Sequence, residues 1–277
     1  MMNAIQQNKL DQYRTFAREI RVLALQTVHR ARSSHIGGAF SMADLLAVLY
    51  SGVLRVDPAR PDWPDRDRFV LSKGHACAAV YVTLALRGFF PLEQLETFYQ
   101  NGTKLAGHIT TGVPGVEVST GSLGHGLPVA CGLALAAARS DRPFRVYTML
   151  SDGECDEGST WEAALFAPHH RLDNLVVIVD YNKIQSLGRV TDVLSLEPFA
   201  DKWRAFGWSV REIDGHDVGA IDAALRSTPF EAGRPTCVIA HTVKGKGVSF
   251  MEDDLAWHYH APSDEQVARA IEELVRS

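Results

Sequence analysis

Two runs constrain this chain more than anything else in it: FRVYTMLS at 144–151 and NLVVIVDYN at 174–182. Both are short, apolar and rich in β-branched residues. Such runs read as strands covered on both faces, the usual condition of a parallel sheet. Between them GSTWEAALFAPHHRL reads as a helix. A βαβ unit of about thirty residues returns the chain beside its own start, so the tips of the two strands face one crevice.

The alternation continues outward. RFVLS is a short strand leading into a helix, KGHACAAVYVTLALRG. WSVREI and PTCVIAHT are strands separated by a helix at GAIDAALRS. Residues 8–31 place Leu10, Tyr13, Phe16, Ile20, Leu23, Leu25 and Val28 at near-helical spacing. ARSSHIGGAF reads as a loop, and Ser41 as the N-cap of a helix over MADLLAVLYSGVL. PARPDWPDRDR is a proline-rich surface loop, and 92–99 a short helix. GLPVACGLALAAARS is a buried, alanine-rich helix, and the tail SDEQVARAIEELVRS begins on a Ser263 cap. The predicted fold is α/β, a parallel sheet with helices on both faces. One domain spans 1–277, with an extended tail from about 248. Residues 101–126 stay irregular and glycine-rich, and a loop that long in a compact domain is more often functional than filler.

Composition removes several functions. The net charge is −5 with no long basic run, which argues against nucleic acid or an anionic membrane as a partner. No apolar run approaches the roughly 20 residues of a membrane span. Cys77, Cys131, Cys155 and Cys237 lack CxxC spacing and read as reduced thiols. With a polar first segment and no visible signal peptide, the expectation is a cytoplasmic protein.

SDGECDEGSTWEAA, residues 151–164, carries five carboxylates at the end of the first strand. Three readings compete: a solvated turn, a calcium loop, and a metal–diphosphate site. The calcium loop fails on its own geometry. Its sixth position needs glycine and is Glu157, and its twelfth needs glutamate and is Ala163. The diphosphate reading needs hard-oxygen ligands at two neighbouring strand tips. Asp152 ends the first strand, and thirty residues on DYNKI supplies Asn182. A carboxylate, an amide oxygen and phosphate oxygens suit Mg²⁺. Gly153 lets the backbone approach a phosphate, and the helix near Gly158 turns its amino end toward the site.

SDG followed thirty residues later by Asn182 resembles the thiamine-diphosphate motif. SSHIGGAFSMADLLAVLY, FVLSKGHACAAVY, LAGHITTGVPGVEVSTGSLGHGL, SDGECDEGSTWEA and DYNKIQSLG resemble, in the same order, the amino-terminal half of transketolases. The resemblance runs from about residue 10 to 262. It implies a thiamine-diphosphate-binding (PP-type) domain. Asp152, Asn182 and the carbonyl of Ile184 would hold Mg²⁺, with Ca²⁺ or Mn²⁺ as substitutes. His75, Gly121, Ser122, Leu123, Gly153, Asn182 and His258 would line the cofactor. His35, His75 and His108 would face a sugar or sugar-phosphate substrate, where histidine suits repeated proton transfers at hydroxyl groups. Glu157 would stand in a carboxylate network at the contact with a partner domain. Glu154 and Asp156 are expected only to keep the turn solvated, and Glu162 to be helix surface.

The chain departs from the family pattern in several places. Ser151 replaces the first glycine of GDG, and His125 stands where GQG is usual, leaving it a possible ligand contact. His258 and His260 compete for one role, with His258 favoured. GKG at 245–247 reads as a turn after a strand. Last, the chain stops where the pyrimidine-binding domain of the family should begin. The resemblance then implies the amino-terminal subunit of a split transketolase, completed by a C-terminal subunit in an α2β2-type assembly and transferring a two-carbon ketol unit. Alternatives are a subunit like 1-deoxyxylulose-phosphate synthase or a 2-oxo acid decarboxylase, and a non-catalytic partner-binding scaffold. His169, His170, His216 and His241 are left as packing or surface residues.

Overall fold

The computed structural model describes residues 4–140 and 142–276. The elements follow the chain as α1 (Ala4–Arg30), α2 (Ile36–Ser41), α3 (Ala43–Val48), β1 (Arg68–Leu71) and α4 (Cys77–Leu86). Next come α5 (Gly126–Arg139), β2 (Val146–Ser151), α6 (Gly158–His169), β3 (Leu175–Tyr181) and α7 (Val190–Val193). The last are α8 (Phe199–Ala205), β4 (Ser209–Asp214), α9 (Val218–Arg226), β5 (Thr236–His241) and α10 (Asp264–Arg276).

The five strands form one sheet in the order β1-β2-β3-β5-β4, and every pairing is parallel. The pleat sends successive side chains to opposite faces, and two separate cores result. Tyr147, Met149, Val176, Ile178, Val238 and Ala240 point toward α1–α4, α9 and α10. Val146, Leu150, Val177, Val179, Cys237 and Ile239 point toward α5, α6 and α8. Every residue of β2 and β3 is buried, which is why neither run alternates. The edge strand β4 is half-exposed and does carry polar residues. The expected parallel sheet with helices on both faces is the one observed.

Local expectations fared unevenly. Ser263 caps α10 as expected: its hydroxyl accepts the Gln266 N–H at 3.3 Å, and Gln266 Oε1 accepts the Ser263 N–H at 2.9 Å. The turn at 245–247 is also real, with positive φ at Gly245 and Gly247. The segment 92–99 is a 3₁₀ helix over Leu92–Thr97. Two readings are corrected. IGGAFS is not loop but helix α2, wholly buried, where packing outweighs the poor propensity of two glycines. Ser41 is not a cap. It ends α2, and its hydroxyl donates to Gly38 O at 3.0 Å and to Asp180 Oδ2 at 2.5 Å.

Candidate active site at the carboxyl ends of the strands

β2 and β3 run in register, with Ser151 opposite Asp180, so both chains leave the sheet side by side. Asp152 and Asn182 therefore emerge at one edge, 1% and 4% exposed. Asp152 Oδ1 accepts the Gly153 N–H at 2.7 Å, and its Oδ2 accepts the Lys183 N–H at 2.5 Å. Burial, then the neighbouring Asp180, push the Asp152 carboxyl up to about 6. Asn182 Oδ1 accepts the Ile184 N–H at 3.1 Å.

These tips floor a cavity of about 220 Å³. Of the residues singled out in the sequence, His35, His75, His108, Gly121, Leu123, Asp152, Gly153, Asn182, Ile184 and His258 line it. Ser122 is exposed and does not. Glu157 is exposed at the N-cap of α6, outside the cavity. His125 is exposed, with Nδ1 2.9 Å from Leu123 O, and does not line it either. His260 lies outside against Trp257, with ring centroids 5.1 Å apart. His29, His169, His170, His216 and His241 also stay clear of the cavity. His216 is held between Asp44 and the Val243 N–H, and His241 against Glu212.

Four histidines from distant parts of the chain meet on one wall. The His35 ring centroid lies 5.2 Å from His75, 6.0 Å from His108 and 5.1 Å from His258. His35 precedes α2 in a left-handed conformation, and its N–H donates to His258 O at 2.9 Å. Burial, then His108 and Lys244, push His35 down to about 4. Burial and Lys73 hold His75 well below the usual histidine range. Burial, then Lys244, lower His258 to about 3. All three are neutral imidazoles at pH 7, each able to accept a proton at one nitrogen and donate at the other.

Two lysines complete the electrostatics, and neither was singled out in the sequence. Lys244 Nζ donates to Ile184 O at 3.0 Å and to His258 Nδ1 at 2.9 Å. Burial lowers it to about 8. A side chain on Gly37 would come within 2.9 Å of the Lys244 stem, so the glycine makes room for it. Lys73, 1% exposed, is ion-paired with the fully buried Asp180 and donates to Gly38 O at 3.0 Å. Asp180 is further held by Ser41 and Thr242. The one available signal for Lys244 was its place before a tight glycine turn after a strand. Lys73 had none beyond its neighbour His75.

Glu154 overturns its expectation. It is fully buried, not solvated: Ser72 Oγ and the Gly124 N–H both donate to its Oε1. Asp156 is half-buried and Glu162 lies on the outer part of α6.

Among the described residues no group of three His, Cys, Asp or Glu could hold a metal ion by itself. Asp152, Asn182 and the Ile184 carbonyl are a hard-oxygen set with one carboxylate, so any Mg²⁺ there takes further oxygens from a ligand. The donors fit such a ligand. A Cβ on Gly153 would lie a tight 3.1 Å from the Gln185 side chain, and glycine keeps the backbone bare at the cavity floor. Lys244 supplies a cation on the same side. The lining suits an anion, and the Lys244 ammonium already sits on one of the three oxygens, the Ile184 carbonyl.

Residues 12–275 match the family described as transketolase, thiamine diphosphate binding domain. The chain belongs to the transketolase family. Over 259 residues it is 44% identical to a 6-deoxy-6-sulfo-D-fructose transketolase subunit from Clostridium sp. (strain MSTE9), covering 93% of this chain and 94% of that protein. Over 250 residues it is 44% identical to an apulose-4-phosphate transketolase subunit from Phocaeicola vulgatus, covering 90% and 89%. Transketolase from Leishmania mexicana superposes with a TM-score of 0.90 at 32% identity, over 95% of this chain but 41% of its own. The chain thus has the length of the transketolase subunits and about two fifths of that solved transketolase. No helix among the described residues is long and apolar enough to cross a membrane.

Proposed function

We propose that this protein is the diphosphate-binding subunit of a split transketolase. With a C-terminal subunit it transfers a two-carbon ketol unit from a ketose, free or phosphorylated, to an aldose. The whole chain acts as one diphosphate-binding domain, and the pyrimidine-binding domain belongs to the other subunit. The assembly is α2β2 and cytoplasmic. The observation that carries this reading is the meeting of Asp152, Asn182 and the Ile184 carbonyl with His35, His75, His108 and His258 around one cavity. The names of relatives that are themselves transketolase subunits, and that match along nearly their whole length, support the division of labour.

In this reading Asp152, Asn182 and the Ile184 carbonyl, once Lys244 releases it, would hold Mg²⁺. Lys244, His75 and His258 would face a diphosphate, with Gly121, Leu123 and Gly153 leaving space for it. When bound, thiamine diphosphate supplies the electron sink for carbon–carbon cleavage. The chain supplies orientation and proton handling. His35, His75 and His108 hold the sugar hydroxyls and move protons to and from them, a task that needs bases uncharged at neutral pH. Burial keeps His35 and His75 in that state. Glu157, exposed beside the Gly124 backbone, meets the partner and carries its carboxylate into the joint site.

Reconstitution tests the proposal. The chain is mixed with a candidate C-terminal subunit, thiamine diphosphate and Mg²⁺, and ketol transfer is measured. Activity is expected only from the mixture; full activity from this chain alone overturns the split assignment.

A further inference from the structure

Glu154 neither lines the cavity nor touches water. Burying a carboxyl costs several kcal/mol unless its bonds repay it, so its partners carry the meaning. Oε1 takes two donors, the Ser72 hydroxyl and the Gly124 N–H, the latter at 2.8 Å. Oε2 is buried with no hydrogen-bond partner. The Glu154 main chain is fixed as well: its N–H donates to Ser151 Oγ at 3.2 Å, and its carbonyl accepts the Thr160 hydroxyl at 3.0 Å.

The two donors sit on two other loops. Ser72 opens the segment that carries Lys73 and His75 into the cavity. Gly124 closes the turn that carries Gly121 and Leu123. Glu154 itself follows Asp152 and Gly153. One carboxyl oxygen therefore joins all three walls around the metal and diphosphate positions. Gly124, without a side chain, is held only through its main chain. Its φ is +78°, and a Cβ there would fall 2.3 Å from Ser159 Oγ and 2.7 Å from Glu157 Cβ. Its carbonyl accepts the Ser159 hydroxyl at 2.8 Å, and its N–H is the group that Glu154 takes.

We propose that Glu154 is a positioning residue for the cofactor, a strut that sets the 121–124 turn and the Ser72–His75 segment against the Asp152–Gly153 turn. It rests on the cofactor reading above. A residue that merely filled space here would be apolar. Both bonds that its side chain accepts end on one atom, Oε1. What the geometry requires is one acceptor atom at one place.

The test compares Glu154→Ala, Glu154→Gln and Ser72→Ala in the reconstituted complex. The readouts are the thiamine diphosphate Kd in Mg²⁺ by titration calorimetry and the cofactor-free melting temperature. Glutamine keeps the acceptor without the charge but sets an amide NH2 at the buried Oε2 position, so E154Q is expected to melt lower while its Kd stays within about threefold of wild type. E154A is expected to weaken binding by about tenfold or more, and S72A, which loses one donor, by a smaller factor. Should E154A fail to fold, S72A and E154Q decide the matter. Lower melting temperature with unchanged Kd in E154A and S72A overturns the inference, as does E154Q binding as poorly as E154A. Failure of the wild-type complex to bind cofactor sinks the function reading and this inference together; unchanged affinity in the alanine variants sinks this inference alone.

Discussion

Asp152 and Lys183 lie thirty-one residues apart, yet the Lys183 N–H donates to Asp152 Oδ2 at 2.5 Å. That bond welds the tips of β2 and β3 and places a buried carboxylate close to a second one, Asp180. Asp152→Asn removes a charge that burial disfavours and gives up one of two backbone bonds. The cofactor-free protein is expected to keep its stability within about 1 kcal/mol, because the lost bond and the relieved charge offset each other. Mg²⁺-dependent cofactor binding is expected to vanish. Chemical denaturation and titration calorimetry on the same preparation check both halves.

His35, His75 and His258 give stability a defined pH dependence. Each is held below the ordinary histidine value of 6.5 in the folded chain, His35 at about 4 and His258 at about 3. The unfolded chain therefore binds more protons than the folded one below 6.5, and stability falls as pH falls. Their contribution is complete above 6.5 and is lost progressively down to about 4 for His35 and about 3 for His258. Urea midpoints measured at pH 7.5, 6 and 5 are expected to decline in that order. Asp152, raised to about 6, takes up its proton in the folded chain and offsets part of the fall below pH 6; a midpoint that rises from pH 7.5 to 5 contradicts the burial of these rings.

The ion pair of Lys73 and Asp180 is fully enclosed, with Ser41 and Thr242 also donating to the carboxylate. Asp180→Ala strands a buried ammonium. The expected loss is about 3–5 kcal/mol, the range for breaking a buried pair from one side. Urea unfolding measures it, and a loss below about 1 kcal/mol would mean that Lys73 finds water instead.

Gly74 is a steric requirement. A Cβ there would lie 2.3 Å from the carbonyl oxygen of Thr120, and Gly74 O accepts the Ile109 N–H at 3.0 Å. Gly74→Ala is expected to push the 109–120 segment off the end of β1 and displace His75. The expected cost is about 1–3 kcal/mol, as for overpacking generally, with cofactor affinity reduced as well. Melting curves with and without thiamine diphosphate and Mg²⁺ report the two effects separately.

The parallel sheet was legible because its signal is local. An unbroken apolar run such as LVVIV at the start of β3 records burial on both faces within five residues. The pairing of Asp152 with Asn182 was legible because a crossover of known length fixes where the chain returns. Ser41 and Glu154 were misread for the opposite reason. The Ser41 hydroxyl is explained by Asp180, 139 positions away, and the Glu154 carboxyl by Ser72, 82 positions away. Nothing in the neighbouring residues records such a partner. Lys244 escaped likewise, since its target Ile184 O is 60 residues distant. The two glycines of IGGAFS advertise a loop, and only the close packing of Lys244 and Trp257 against Gly37 accounts for a helix there.

The strand order has a consequence for how the molecule is made. β4 precedes β5 in the chain but pairs with no other strand, and β5 must enter between β3 and β4. A nascent chain that has emerged only as far as residue 235 therefore holds β1, β2 and β3 in order, with the outer edge of β3 bare and β4 unpaired. Its long-range contacts form late, and the bare edge invites pairing with other chains. β5 thus closes the edge of β3 and gives β4 its one partner in the same step.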